Sequence, residues 1–269
     1  MAVYDIAGNR ISADTDVQTV KRNDESLVEE FLAVAQSYLN QTSIVYSDGG
    51  TIFYQETATN GIDCSTFVGL CLMGYPFNKS PYYTHQYKRF DTWEANTADY
   101  NWPVATMRYT VSRFTDGHNP DERLRLACQF ARWMTDRGQL VPMKDGFRDV
   151  EPGDVVFWGH KRASTGDWIH PDWYLHINHI GIVLTKEPAP DTYEYTSGSS
   201  TITANWDKIK YPFKHQIIEV TEVTPPCINT HWLEEGQEDQ TKIYANNVNT
   251  VVAICRPDLG SLKVQQASN

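Results

Sequence analysis

The chain has 269 residues, which can form one large domain or two modest ones. Of these residues, 41% are hydrophobic and 21% are charged, which is an ordinary composition for a globular protein. The formal net charge of −11 argues against a nucleic-acid-binding surface, because such a surface normally needs a basic patch. No apolar run approaches the roughly 18 residues of a membrane span, so we expect neither nucleic acid nor a membrane among the partners.

The N-terminal sequence and the cysteine content carry information on export of the protein and on the redox state of its thiols. The first ten residues lack the basic segment and the apolar core of a secretory signal, so either the protein is not exported by that route or a signal has been removed. The cysteines form neither a disulfide scaffold nor a zinc ribbon, because their number is odd and no two stand in a Cys-x-x-Cys pair. Cys64 and Cys71 would lie about 10 Å apart on one helix, too far to bridge. We therefore expect at least one free thiol.

Helical signals dominate the first half of the chain. An N-terminal extension over residues 1–22 is followed by a capped, periodic helical pattern over residues 23–40. A short apolar run over residues 61–74, closed by a glycine, predicts a buried helix with Cys64 at its N-terminus. Residues 75–118 show few periodic signals, and a loop of this length is typical of a functional segment such as the wall of a cleft.

A third helix is predicted from Asn119 to Gly138, and the character of the chain then changes to β. Strand patterns separated by turns follow at residues 155–158, 179–184, 193–197, 216–223 and 250–255. Helices followed by strands indicate an α+β fold with an antiparallel sheet. Because no linker or repeat divides the chain, we predict one domain over residues 23–258 and a C-terminal tail over residues 259–269.

Cys64 is a candidate nucleophile. Exposed backbone N–H groups and the helix dipole favour a thiolate at a helix N-terminus, and a thiolate held there can attack a carbonyl carbon. A free cysteine is also often a small buried hydrophobe. The local pattern leaves both interpretations open.

A histidine base for such a thiol is sought among the eight histidines. His179 stands out because it opens an apolar strand, where a polar ring can face a cleft. Four histidines between residues 160 and 179 cluster in the sequence, but their spacings of ten, six and three residues match no known zinc pattern. We therefore predict no metal. Trp158 is either a core residue or a wall of the substrate cleft.

Four sequence blocks stand in a recognisable order. They are Tyr46-Ser-Asp-Gly-Gly, Asp63-Cys-Ser-Thr-Phe-Val, Pro152-Gly-Asp-Val-Val-Phe and His179-Ile-Gly-Ile-Val. Together they resemble the NlpC-type cell-wall cysteine peptidases, a papain-like α+β group, with Thr66 in place of the glycine that is usual after the Asp-Cys-Ser motif. The resemblance covers roughly residues 24–258, with longer insertions than usual at about 75–118 and 159–175.

The resemblance implies a papain-like fold, with N-terminal helices packed on a central antiparallel sheet and the nucleophile at a helix N-terminus. Cys64 would be the nucleophile and His179 the base, and the backbone N–H of Cys64 would help to stabilise the oxyanion. Tyr46 would lie beside the thiol. Asp63 and Ser65 match positions that bind a free peptide N-terminus in some family members, and a carboxylate suits an ammonium group.

The residue that orients the base departs from the family pattern. The family places a polar side chain, usually His, Asn or Gln, on the strand after the base, where the alignment puts Tyr195. The Tyr195 hydroxyl could accept the imidazole N–H. His160 or His176, both from an insertion, are alternative orienting residues.

The resemblance implies a cofactor-free cysteine endopeptidase that cleaves amide bonds in peptidoglycan stem peptides, with the bond from γ-D-glutamyl to a diamino acid expected. Its partners would be peptidoglycan peptides, at the bacterial cell wall after export or phage delivery, or in the cytoplasm during muropeptide recycling. Two alternatives stay open. One is a non-catalytic wall-binding or phage-particle protein that retains the fold, and the other is an amidase or transacylase acting on another amide.

Overall fold

A computed structural model describes residues 20–46, 61–72, 74, 76–77, 127–142, 147–162, 177–197, 199–209, 211–221, 224–233, 242–244 and 247–260. The helices in this part of the chain are α1 (Glu25–Gln36), α2 (Cys64–Leu72) and α3 (Ala127–Asp136). The strands are β1 (Val45–Tyr46), β2 (Gly61–Ile62), β3 (Val155–Arg162), β4 (Ile177–Pro188), β5 (Thr192–Ser197), β6 (Ser200–Asn205), β7 (Phe213–Val220), β8 (Ile228–Leu233), β9 (Lys242–Tyr244) and β10 (Asn247–Cys255).

The main sheet has six strands in the order β8-β7-β4-β3-β10-β9, and every neighbouring pair is antiparallel. Two smaller pairs accompany it: β1 and β2 run parallel over two residues each, and β5 and β6 form an antiparallel hairpin. The predicted α+β class with an antiparallel sheet is confirmed. The order places β4 in the interior of the sheet, between β3 and β7.

Four of the five predicted strands are longer than their apolar patterns suggested, whereas β7 has the predicted length but begins and ends three residues earlier. β3 continues to Arg162 and so occupies the first residues of the segment predicted as an insertion over 159–175. Strands β6, β8 and β9 were not predicted. Their sequences carry a weak apolar signal because β6 is largely exposed and β8 and β9 form the two edges of the main sheet, where polar side chains are common.

The start of α1 and the end of α3 lie where the sequence signals indicated, but α1 ends at Gln36, before the predicted end near residue 40, and residues 37–40 form a turn. The N–H groups of Leu27 and Val28 donate to the backbone carbonyl of Asp24, so α1 begins directly after that residue. Gly138 follows α3 with a φ of 69°, a left-handed conformation that favours glycine and ends a helix. The predicted start of this helix at Asn119 lies outside the described residues.

The main sheet is buried on both faces. Alternation along β4 and β7 shows this, since Ile182 and Ile218 pair with each other and join the core formed with all three helices. The next pair, Val183 and Ile217, points to the opposite face and joins a second core cluster. The pairing register of β4 is therefore fixed, because a shift of one residue would move each of its side chains to the opposite face of the sheet.

The turn before β3 is fixed by a buried ion pair between Asp154 and Arg256. Nε of Arg256 lies 2.7 Å from Oδ1 of Asp154, and a second guanidinium nitrogen donates to Oδ2 at 2.9 Å. Burial raises the pKa of Asp154 to about 6, and the opposing charge of Arg256 keeps the carboxyl ionised at neutral pH. Gly153 precedes it with a φ of 89°, a conformation suited to glycine.

The two ends of the described chain meet at this side of the molecule. Asn23 donates to the carbonyl of Pro257 and accepts the N–H of Leu259. Leu259, the first residue of the predicted tail, is fully buried. Of the predicted N-terminal extension and the insertion over 75–118, nearly all residues lie outside the described part of the chain. None of the described helices has the length and apolar character needed to cross a bilayer.

Candidate active site

The candidate site includes the N-terminus of α2, where Asp63 is the N-cap. Its Oδ1 atom accepts the backbone N–H of Thr66 at 2.6 Å and the hydroxyl of Ser65 at 2.9 Å. Its backbone carbonyl accepts the N–H of Phe67 at 3.0 Å. An aspartate that accepts the third helical N–H is a strong helix-start signal. The cap makes Cys64 the first helical residue, whose N–H has no partner within the helix.

Cys64 differs from the other four cysteines in its exposure. All five lie within the described residues and none is paired in a disulfide, but Cys64 is partly exposed whereas the others are buried. Burial raises the pKa of the Cys71 thiol and also that of Cys255, so both remain protonated at neutral pH. Cys64 is therefore the thiol that a substrate can reach.

A β-bulge in β4 lies against Cys64. The residues on either side of Asn178 pair with Trp158 and Gly159 of β3, so Asn178 is an additional residue in β4. The Sγ atom of Cys64 lies 3.8 Å from the Asn178 carbonyl oxygen, at the length of a weak S–H···O hydrogen bond. Bulges redirect side chains and are frequent beside active sites. This bulge brings the strand that carries His179 to the thiol.

His179 interacts with two groups that can carry negative charge. Its Nε2 atom lies 2.7 Å from Oε2 of Glu219, and Cys64 is close enough to act on the pKa of the imidazole. Because the carboxylate engages Nε2, the ring nitrogen left for the sulfur is Nδ1. Burial alone would lower the pKa of His179, but the negative charges of Glu219 and Cys64 outweigh it and hold the pKa well above its usual value.

Glu219 is a carboxylate on β7 that is only 4% exposed. Gly181 on the neighbouring β4 makes space for it, since a Cβ at Gly181 would lie 2.9 Å from Cγ2 of Ile217 and 3.3 Å from Oε2 of Glu219. A buried carboxylate is stable only where polar or charged groups compensate it. His179 lies at one of its oxygens, and Nδ1 of His231 lies 3.3 Å from the other, Oε1.

Tyr46 and Trp158 belong to strands next to Cys64 and His179, respectively. Tyr46 pairs with Ile62 across β1 and β2, two residues before Cys64, and is partly buried against the main core. Trp158 pairs with His179 across β3 and β4, and the two ring centroids are 5.2 Å apart. With 7% exposure in the second core cluster, Trp158 is a core residue that covers the imidazole.

Asp63 and Ser65 were predicted as substrate contacts. Both are buried, and their described hydrogen bonds belong to the helix cap. A substrate-binding role for either residue stays a prediction, and the observed geometry gives each of them a structural role beside the thiol.

Glu219 contacts Nε2 of His179, where the sequence analysis expected an orienting residue, and the role predicted for Tyr195 stays a prediction. The backbone of Tyr195 lies on β5, which pairs with β6, whereas the strands beside β4 in the main sheet are β3 and β7. Of the two alternative orienting residues, His160 lies on β3 opposite Asn249, and His176 is outside the described residues. The sequence did contain a signal for Glu219, since a carboxylate within the apolar run from residue 217 to 220 requires a partner.

Searches with this chain found no matching family model, no matching curated protein and no matching solved structure. Within the described residues, no group of three or more His, Cys, Asp and Glu side chains is arranged to hold a metal ion. A partly exposed thiol near an imidazole that contacts a buried carboxylate can form a thiolate and move a proton to and from a reacting group.

Proposed function

We propose that this protein is a papain-like cysteine hydrolase in which Cys64 is the nucleophile, His179 the general base and acid, and Glu219 the orienting carboxylate. The observation that carries the proposal is the imidazole of His179, which lies 2.7 Å from the Glu219 carboxylate and has the partly exposed Cys64 thiol among the groups that act on its pKa. Nucleophilic cysteines are recognised by this arrangement of a base beside the thiol and a third group that orients the base.

The proposed reaction proceeds in two steps. In the first, the Cys64 thiolate attacks the amide carbon, and the backbone N–H of Cys64 donates to the oxyanion that forms. The imidazolium of His179 then gives its proton to the leaving amine, and a thioester remains on Cys64. In the second step, His179 takes a proton from water, the resulting hydroxide attacks the thioester, and the acid product leaves as the thiol is restored.

The carboxylate of Glu219 supports this reaction in two ways. Its hydrogen bond to Nε2 fixes the ring so that Nδ1 faces the sulfur. Its charge also stabilises the imidazolium that forms each time the thiol is deprotonated. A neutral amide at this position would supply the first effect without the second.

The proposed substrate is a peptidoglycan stem peptide, cleaved between γ-D-glutamyl and a diamino acid. This assignment depends on the four sequence blocks that resemble NlpC-type peptidases, among them the motifs that contain Tyr46, Asp63 and His179. The acidic net charge and the absence of a spanning helix from the described residues are compatible with a peptide substrate.

The test is digestion of a panel of purified muropeptides, followed by mass spectrometry of the products. We expect the unaltered protein to release the fragments that result from cleavage between γ-D-glutamyl and the diamino acid. Cys64→Ala is expected to lower kcat by on the order of 10⁶, because the nucleophile itself is removed. Cys71→Ala, the same change two turns along α2 at a buried thiol, is the matched control and should retain turnover.

Undiminished turnover by folded Cys64→Ala would contradict the mechanism. If every fragment of the panel survives the unaltered protein, a non-catalytic wall-binding protein becomes the better interpretation. Alkylation of Cys64 by iodoacetamide distinguishes these outcomes without a substrate, since a thiol outside an active pair reacts as a thiolate only near pH 8.5. Reaction of Cys64 confined to the region near pH 8.5 would favour the non-catalytic interpretation.

A further inference from the structure

Glu219 is held between two histidines, one at each carboxylate oxygen. Oε2 lies 2.7 Å from Nε2 of His179, and Oε1 lies 3.3 Å from Nδ1 of His231. The two histidines come from strands on opposite sides of β7, since His179 is on β4 and His231 is on β8. The carboxylate is thus fixed from both neighbouring strands.

The surroundings of His231 make this contact effective. Its Nδ1 atom is inaccessible to solvent although the side chain as a whole is 29% exposed. Glu219 is 4% exposed, so water contributes little to screening between the two groups. At 3.3 Å the two atoms form a close polar contact that lacks the geometry of a hydrogen bond, and the contact is attractive when Nδ1 carries a proton, as in the imidazolium and in one neutral tautomer.

We propose that His231 is a positioning residue of the hydrolase, which fixes the rotation of the Glu219 carboxylate so that Oε2 faces His179. The inference goes further into the same site and rests on the proposed function only for its kinetic consequence. The physical reason is that the terminal torsion of glutamate is broad, and a carboxylate held at one oxygen can turn. A second contact at Oε1 removes that freedom, as outer contacts do for metal-bound histidines.

The titratable groups around the Glu219 carboxylate come from four elements. In the described residues they are Cys64 on α2, His179 on β4, Glu219 on β7 and His231 on β8. If the carboxylate turns away from His179, the imidazolium loses its nearest negative partner. The pKa of His179 then falls, and the alkaline limb of the activity profile moves to lower pH.

The test compares His231→Phe with His231→Asn. Phenylalanine keeps a ring of similar size but removes the N–H donor, whereas the amide nitrogen of asparagine takes nearly the place of Nδ1. The His179 ring is titrated by NMR in each protein, with its resonance assigned from His179→Gln. We expect a lower pKa of His179 in His231→Phe and recovery in His231→Asn, and kcat/KM about tenfold lower in the phenylalanine variant with KM unchanged.

Several outcomes separate this inference from the proposed function. An unchanged His179 titration in folded His231→Phe overturns the inference even if muropeptides are cleaved. A lowered His179 pKa with recovery in His231→Asn supports the positioning role even if no muropeptide is cleaved. Equal effects of both substitutions would assign His231 a packing role and overturn the inference as well. Thermal unfolding of each variant verifies that the comparison is made between folded proteins.

Discussion

At the residue scale, the candidate site depends on where charge is placed around one imidazole. His179 is largely enclosed, which by itself favours the neutral ring, but Glu219 and Cys64 reverse that preference. The raised pKa predicts that His179 is still protonated at pH values where an isolated histidine, with a pKa of about 6.5, is neutral. An imidazolium that persists at neutral pH can serve as the general acid that protonates a leaving amine.

The first prediction concerns Glu219→Gln. The amide oxygen can still accept the Nε2 proton, but the negative charge is lost, so the pKa of His179 should fall. We expect kcat/KM at pH 7 to fall by less than about 100-fold, because the general acid and base remain in place. NMR titration of His179 and the pH profile of muropeptide cleavage measure the two effects. The matched control, Glu194→Gln, removes a charge from an exposed position on β5.

The same substitution changes stability in a pH-dependent way. A histidine whose folded pKa is raised stabilises the protein fully below its unfolded pKa of about 6.5, and this contribution is lost as pH rises through the folded pKa. The stability difference between the unaltered protein and Glu219→Gln should therefore be largest in mildly acidic solution and shrink at alkaline pH. A difference that grows with increasing pH would contradict the assigned ion pair.

At the element scale, the start of α2 and the bulge in β4 bring the reacting groups together. Asp63 determines that the helix begins at Cys64, and Asn178 determines how β4 passes the thiol. Both features are local departures from regular structure at the ends or edges of regular elements. They leave the backbone N–H of Cys64 directed out of the helix start, where developing negative charge is stabilised.

Substitution of Asp63 separates its structural role from the predicted substrate contact. Asp63→Ala removes the cap and should lower the free energy of unfolding by about 1 kcal/mol, whereas asparagine is as good an N-cap as aspartate and should leave it nearly unchanged. Asp63→Asn nevertheless removes the charge that would bind a peptide ammonium group. Urea denaturation measures the first effect, and KM for peptides with and without a free N-terminus measures the second.

The result for Asp63→Asn decides between the two roles. A raised KM restricted to peptides with a free amino group would support the predicted substrate contact. Equal KM values for both kinds of peptide, with stability retained, would leave Asp63 as a cap alone.

At the scale of the whole molecule, the site depends on an antiparallel sheet assembled from distant parts of the chain. β10, close to the end of the described residues, pairs with β3, and β3 in turn pairs with the strand of His179. The ion pair between Arg256 and Asp154 joins the residue after β10 to the turn before β3. Both partners are buried, so the ion pair holds the end of β10 against the turn before β3.

Arg256→Met should destabilise the protein by about 3–5 kcal/mol, because it leaves the Asp154 carboxylate buried without its cation. The loss should become smaller as pH falls, since a protonated carboxyl costs less to bury. Denaturant unfolding at several pH values measures both. Arg22→Met removes an arginine from an exposed ion pair with Glu151 and should cost no more than about 1 kcal/mol. Similar losses for the two variants would contradict a structural role for the buried pair.

The sequence by itself predicted the nucleophile helix, the strand of the base and the fold class. Local signals, an apolar helix closed by glycine and an apolar strand, marked Cys64 and His179 as candidates, and the resemblance of four sequence blocks suggested their roles. Local signals act over a few residues and are independent of the rest of the fold. The structure places Cys64 close enough to His179 to act on its pKa.

The partner of His179 was decided by the tertiary structure. Glu219 lies 40 residues after His179 and reaches it because β7, rather than the nearer β5, is the neighbour of β4. The interior strand β7 is apolar at Ile217 and Ile218, which join the two core clusters, whereas β6 is largely exposed. Strand order and register follow from burial of the whole sheet, so the local pattern that marks Glu219 as a carboxylate in need of a partner could not select His179, or the second histidine, as that partner.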